Sequence, residues 1–220
     1  MTAPAGSMRP ARPSDVVYSA VKRRIMLNDL QPEAVVTELG LAHEIGCSQG
    51  TVREALLRLQ EDGLVTRSGR RGTLVTRLIA DEAQEMLALR RRLELKGASR
   101  AARAATEPAL AEIAATVRAM HAAAEAGDEY GLIEMDACFH MAIFRLSGLD
   151  ALAPILARCI LHSHRCKLWA PGHRRPLADT AARHDVLLRL LVARDGPGLG
   201  RALGSHIDTI VSDGRPARAA

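Results

Sequence analysis

Aromatic side chains are nearly missing from this chain: Tyr18, Tyr130, Phe139, Phe144 and Trp169 are the only five among 220 residues. Its cores must therefore be filled by Ala, Leu, Val and Ile, and because Ala and Leu favour helix, a mainly α protein is expected. Cysteine is sparse too. Cys47, Cys138, Cys159 and Cys166 show no C-x-x-C spacing. With no signal-peptide apolar segment, they read as reduced thiols of a cytoplasmic protein. No apolar run reaches the ~18 residues that a membrane span requires, so no membrane partner is expected. No internal repeat is visible. Acid is absent from Thr66 to Arg77, where Arg67, Arg70, Arg71 and Arg77 stand uncompensated. That local imbalance points to a phosphate-bearing partner more directly than the formal net charge of +5 does.

The length suits two small domains. The opening MTAPAGSMRPARP is rich in Pro, Ala and Gly and reads as a disordered arm over 1–13. A winged helix-turn-helix is expected over 14–78. Ser14 reads as an N-cap, followed by a helix over about 15–28 with Val17, Ala20, Val21 and Ile25 at helical spacing. Residues 38–64, ELGLAHEIGCSQGTVREALLRLQEDGL, then read as two short helices joined at Gly46-Cys47-Ser48. Leu39, Leu41, Ala42 and Ile45 are the apolar positions of the first. Val52, Ala55, Leu56 and Leu59 form one buried face of the second, which Ser48 caps and Gly63 closes. The β-prone runs Leu64–Arg67 and Thr73–Thr76 flank Ser68-Gly69-Arg70-Arg71-Gly72, a hairpin with a basic tip.

From Asp81 the pattern changes to helices at about 82–105, 107–126, 129–147, 149–169, 176–194 and 197–213, broken by Gly and Pro. Six such helices with short connections form an antiparallel bundle over 81–214. On the third, Asp136 and His140 are i, i+4 and share a face. His184 and His206 fall on the last two helices, about one helix and one return apart. Three imidazoles and a carboxylate suit a divalent transition metal, Zn or Ni above all. A buried hydrogen-bonded histidine pair explains the same spacing. His162 and His164 point about 200° apart on a helix and cannot share an ion; with His43 and His121 they read as surface or satisfied histidines.

Ser48-Gln49-Gly50-Thr51-Val52-Arg53-Glu54-Ala55-Leu56, Gly63-Leu64-Val65 and Arg71-Gly72-Thr73-Leu74-Val75 resemble the DNA-binding domain of GntR-type bacterial regulators. The second half resembles the FCD effector domain of the FadR subfamily, in its six-helix, VanR-like branch. The resemblance implies a homodimer on a pseudopalindromic operator in double-stranded DNA, with the second helix in the major groove. Arg53 is the first candidate for a base or phosphate contact. Gln49 is able to read adenine, Ser48 and Thr51 to bond phosphates, and Arg70 and Arg71 to reach backbone or minor groove. Arg53 paired with Glu54 or Glu61 is the plain alternative, and Arg58 reads as a solvated flank charge. Leu39, Gln49 and Gly50 replace residues that commonly hold DNA in the family.

The resemblance also implies that Asp136, His140, His184 and His206 ligate a metal that helps hold a small carboxylic acid. Arg90, in an R-x-x-L-E pattern, either pairs with that acid or forms a salt bridge with Glu94 or Glu85; Arg165 is a further effector candidate. Most relatives are repressors released by their ligand. The rival is a regulator for which the ion itself is the signal. A metal-dependent hydrolase fits poorly, since no carboxylate stands as general base beside the four ligands; no enzyme is expected.

Overall fold

The computed structural model describes residues 12–69, 72–170 and 175–210. The chain divides at Arg77/Leu78 into two units. Among the described residues no helix is long and apolar enough to cross a membrane.

The first unit opens with α1 (Pro13–Met26), continues through β1 (Val35–Val36), α2 (Glu38–Ile45) and α3 (Gln49–Glu61), and ends in β2 (Val65–Arg67) and β3 (Thr73–Val75). Helix α1 starts earlier than its sequence suggests. Arg12 is the N-cap, its backbone N–H donating to the Asp15 carboxylate at 3.3 Å, and Pro13 occupies the first turn. Pro is preorganised for that position and lacks the N–H that would go unpaired there. Ser14 is therefore a buried helical residue and not the cap, and the expected arm ends before residue 13; residues 1–11 of it lie outside the described residues.

α1 packs on α3, and Val17, Val21, Ile25, Val52, Ala55, Leu56 and Leu59 are all buried. The rim is polar. Arg58 Nη1 donates to Asp15 Oδ1 at 2.5 Å while its guanidinium lies over the Tyr18 ring at 4.3 Å. Arg58 is thus the solvated flank charge expected, 40% exposed, and it also bridges α3 to α1. In α2 only Leu41 and Ala42 are buried, and Leu39 is 65% exposed. The eight-residue helix turns too little of itself toward the core to bury every apolar position.

Ser48 caps α3 as expected, its Oγ accepting from Thr51 N at 3.1 Å. Gly63 follows the helix at φ 75°, and Leu64 N donates back to Leu59 O at 2.9 Å, a left-handed close that glycine adopts without steric cost. The hairpin pairs Val65 with Val75, Thr66 with Leu74 and Arg67 with Thr73. β1, which the sequence reading missed, adds antiparallel to the outer side of β3 and gives the order β1-β3-β2. Two residues are too short a run for alternation to reveal.

The second unit holds α4 (Ala80–Ala104), α5 (Glu107–Glu125), α6 (Glu129–Arg145), a short 3-10 turn (Asp150–Leu152), α7 (Ala153–Trp169), α8 (Leu177–Val192) and α9 (Gly196–Asp208). Thr106, Asp128 and Asp195 cap α5, α6 and α9 through their side chains. α4 packs on α7 and α9, and α5 on α6 and α8. The core is aliphatic: Ala98, Ala101, Ile113, Val117, Met120, Leu132, Leu187, Leu191, Leu199 and Leu203 gather around Phe139.

Small residues permit the α4–α9 approach. A Cβ on Gly196 would lie 2.8 Å from the Ser99 Cα, a backbone atom that moves only with its helix. Gly196→Ala should therefore destabilise the helical unit by about 1–3 kcal/mol; an unchanged urea midpoint for its unfolding would show the approach to be looser than described.

Candidate metal centre and DNA-reading face

Helix α6 explains how charged groups come to lie inside an aliphatic bundle. Its buried positions are Leu132, Ile133, Asp136, Phe139, His140, Ile143 and Phe144, one continuous stripe of helical period. Asp136 and His140 occupy core positions of that stripe. His184 on α8 and His206 on α9 fall likewise on buried faces. All four are buried, and one ligand atom from each lies within 4.8 Å of all the others.

Their tautomers can be read from their neighbours. His184 Nδ1 lies 3.1 Å from Thr180 O and 3.3 Å from Ala181 O. A carbonyl only accepts, so Nδ1 carries a proton and Nε2 is turned toward Asp136. That Nε2 stands 3.0 Å from Asp136 Oδ1 without a hydrogen bond. His140 repeats the pattern: Nδ1 is 2.6 Å from Glu94 Oε2, and Nε2 points inward, 3.3 Å from His206 Nε2 and 3.6 Å from Asp136 Oδ2. The Nε2 atoms of His140 and His184 thus converge on the Asp136 carboxylate, with His206 Nε2 beside them. Neighbouring ligands on an ion bound at about 2.1 Å lie about 3–3.5 Å apart; the contacts here are 3.0, 3.3 and 3.6 Å, so this donor set of imidazoles and a carboxylate fits a divalent cation.

Behind His140 stands a second carboxylate. Glu94 accepts from Arg90 Nε at 2.7 Å and from His140. Burial on its own would raise the Glu94 pKa, but the His140 and Arg90 charges and hydrogen bonds outweigh it and hold the carboxyl down at about 2. Burial would raise Asp136 as well, yet His164, His140 and His184 bring it well below the usual carboxylate range. Burial pushes His206 well below the ordinary imidazole value, with His184 and His140 adding to it. A carboxylate backing a ligand imidazole fixes its tautomer and raises its basicity.

Sequence reasoning singled out the four ligand candidates that the structure brings together. His164 takes the satisfied alternative: its Nε2 hydrogen-bonds Asp136 Oδ2 at 2.9 Å, and His162 is also buried. α7 is enclosed on nearly every side, so the opposite directions of residues two apart do not keep either one out of the interior. Arg90 takes the salt-bridge alternative with Glu94, its Nη2 lying 3.8 Å from Asp136. Arg165 is fully buried with its guanidinium over the Trp169 ring at 4.2 Å. A cavity of about 20 Å³ beside Asp136 and His206 is lined by other cations, Lys167, Arg175 and Arg183, none of which the sequence singled out. Among them only Lys167 had a readable signal, a charge on the buried side of an apolar helix.

In the first unit, Gln49, Gly50, Arg53 and Leu57 are exposed along α3. Arg53, 60% exposed, pairs with neither Glu54 nor Glu61: its Nε and Nη2 donate to Glu38 of α2 at 2.8–3.1 Å. Arg67 Nη2 reaches the same carboxylate at 3.6 Å from the hairpin. Ser48 and Thr51 are bonded to each other at the cap, Oγ to Oγ1 at 2.9 Å. Arg70 and Arg71 lie outside the described residues, as does His173.

Comparison with known proteins gives this arrangement its family. Residues 13–75 match the gntR family of bacterial regulatory proteins and residues 85–209 match the FCD domain. A regulator from the TAR-I ttuE-ttuC' intergenic region of Agrobacterium vitis is 35% identical over 127 residues, spanning 56% of this chain and 74% of that one. The HTH-type transcriptional repressor RspR of Escherichia coli K12 is 22% identical over 96% of this chain and 93% of its own. In three dimensions E. coli McbR/YncC superposes with a TM-score of 0.77 at 23% identity, covering 92% of this chain and 96% of that one. The chain therefore belongs to the GntR family of bacterial regulators, a winged helix-turn-helix followed by an FCD domain, and it is a DNA-binding transcriptional regulator and not an enzyme.

Proposed function

We propose that this regulator is a repressor that leaves its operator when a small organic acid binds at a metal site in the helical domain. The observation that carries the reading is the convergence of ligand-type atoms from Asp136, His140, His184 and His206. FCD domains bind metals. A bound Zn or Ni ion would supply a positive charge to which a carboxylate can coordinate. Asp136, His140, His184 and His206 would hold it, Glu94 would orient His140, and the Thr180 carbonyl would orient His184. The name of RspR supports repression as the sign of control. Cations on the adjoining pocket wall support an acid as the ligand.

GntR-family regulators bind DNA and usually act as dimers. One head makes too few contacts for tight specific binding, so a homodimer on a pseudopalindromic operator is the working state here. The N-terminal end of α3 enters the major groove. Arg53 then turns from Glu38 toward a base or phosphate, with Gln49, Ser48 and Thr51 beside it and the tip arginines Arg70 and Arg71 on the backbone. Ligand acts by binding better to the arrangement of the two heads that does not fit both half-sites.

Three outcomes check this. Arg53→Ala should weaken operator binding by about 1–3 kcal/mol in a fluorescence-anisotropy titration, with an unchanged circular dichroism spectrum because the side chain is exposed; unaltered affinity contradicts the assignment. The purified protein should hold one divalent ion per chain, and His184→Ala should lose it, as read by elemental analysis. Glu94→Gln should lower metal affinity roughly 10- to 100-fold; equal affinity would mean that Glu94 does not tune the site. If operator affinity follows metal concentration with no acid present, the ion itself is the signal.

A further inference from the structure

The run from Thr66 to Arg77 contains no acid of its own, yet in the folded first unit carboxylates from outside it meet the arginines that the structure describes there. β1 pairs with β3 so that Val36 and Arg67 both stand opposite Thr73, and this brings the residues flanking β1 to the hairpin. Glu33, before β1, pairs with Arg77 at 2.6 Å. Glu38, after it, lies 3.6 Å from Arg67 Nη2. The same Glu38 carboxylate accepts from Arg53 of α3, whose Nε lies 3.1 Å from each oxygen and whose Nη2 lies 2.8 Å from Oε2. One acid thus faces two arginines on two different elements.

The acid is the fixed member of this group and the arginines are the exchangeable ones. Glu38 is the first residue of α2, behind the Thr37 cap, whose Oγ1 accepts from Gly40 N at 3.0 Å. A negative charge in a first helical turn is favoured by the helix dipole. The Glu38 side chain is 24% exposed, against 60% for Arg53 and 49% for Arg67. The Arg53 hydrogen bond, with the Arg53 and Arg67 charges, holds the Glu38 pKa below the ordinary carboxylate value, and Glu38 in turn raises that of Arg53. A guanidinium fork grips carboxylate and phosphate with the same donors. A DNA phosphate that engages Arg53 or Arg67 through those donors therefore takes the arginine from Glu38 and leaves the acid facing a polyanion.

We infer that Glu38 is a brake on DNA binding: its carboxylate stands in the place of a DNA phosphate on Arg53 and Arg67, and so stabilises the free head relative to the bound one. This rests on the reading of α3 and the hairpin as the DNA-contacting face. A single exposed pair changes an equilibrium constant only about several-fold. Two arginines on one acid, together with the repulsion between that acid and phosphate, set the brake at about three- to tenfold. That lies on the scale of typical allosteric coupling, about 5- to 150-fold. A head that gripped DNA without the brake would demand a correspondingly larger bias from the effector before it let go.

Fluorescence anisotropy of the full-length protein tests this, on a labelled duplex of random sequence and on the duplex that the wild-type protein selects from a random library. Glu38→Gln should tighten binding to both about three- to tenfold and steepen the fall of log K with log salt concentration by about one. With Arg53 and Arg67 both changed to Ala, the same substitution should alter affinity less than about twofold. If a thermal melt shows Glu38→Gln to be unfolded, Glu38→Asp, which keeps the charge and shortens its reach, carries the test and should tighten binding about twofold. Weaker or unchanged binding by a folded Glu38 variant overturns the brake, and so does a gain that persists when both arginines are absent. Arg53→Ala separates the two possible failures. If it weakens binding to the selected duplex while Glu38→Gln does not tighten it, the brake alone fails. If it leaves that binding unchanged, the DNA-contacting face and the brake fail together.

Discussion

Asp136 Oδ1 and His184 Nε2 stand 3.0 Å apart, both buried. The Thr180 carbonyl, accepting from His184 Nδ1, holds the ring with Nε2 toward that carboxylate. Much of the helical domain follows from this one constraint. α8 must present His184 at a fixed angle, α6 must bring Asp136 and His140 to the same point, and α4 must supply Glu94 and Arg90 behind them. The close seat of α9 on α4, allowed by Gly196 against Ser99, brings His206 to the fourth side. Desolvated charges are tolerable in such an interior only as a paired network, and the Arg90–Glu94–His140 relay is that network.

The DNA-binding domain uses the opposite strategy. Its charged groups are exposed, and their pairs are weak ones that a phosphate can replace. Glu38 lowers its own pKa chiefly through the Arg53 hydrogen bond and gathers Arg53 from α3 and Arg67 from the hairpin onto a single carboxylate. Arg53 is thereby held beside the hairpin. Arg58, one turn further along α3, is committed to Asp15 and Tyr18 instead. Two arginines on one helix thus do different work: one braces the fold, the other remains exchangeable.

The sequence disclosed the architecture because helical period, caps and glycine breaks are local properties. Asp136 and His140 were legible as a pair since they interrupt an apolar stripe at i, i+4, and His184 and His206 because they recur on buried faces of later helices. What lies around them depends on packing. That His164 is satisfied inside the bundle, by Asp136, and not at its surface depends on α7 being covered on most sides, which direction on an isolated helix does not tell. Lys167, Arg175 and Arg183 line one cavity only once α7 and α8 are packed together. Glu38 binds Arg53 across 15 residues, a distance at which sequence offers Glu54 as the nearer partner. β1 went unseen because two residues show no alternation, and the early start of α1 because Pro13 read as the end of an arm.

The central claim is that a divalent ion belongs among these four side chains. Anomalous diffraction from crystals of the purified protein, recorded on either side of the metal absorption edge, tests it directly. The account predicts one peak per chain within bonding distance of Asp136, His140 Nε2, His184 Nε2 and His206 Nε2. A metal-loaded protein whose only peak lies elsewhere, with these residues joined by hydrogen bonds alone, would contradict it.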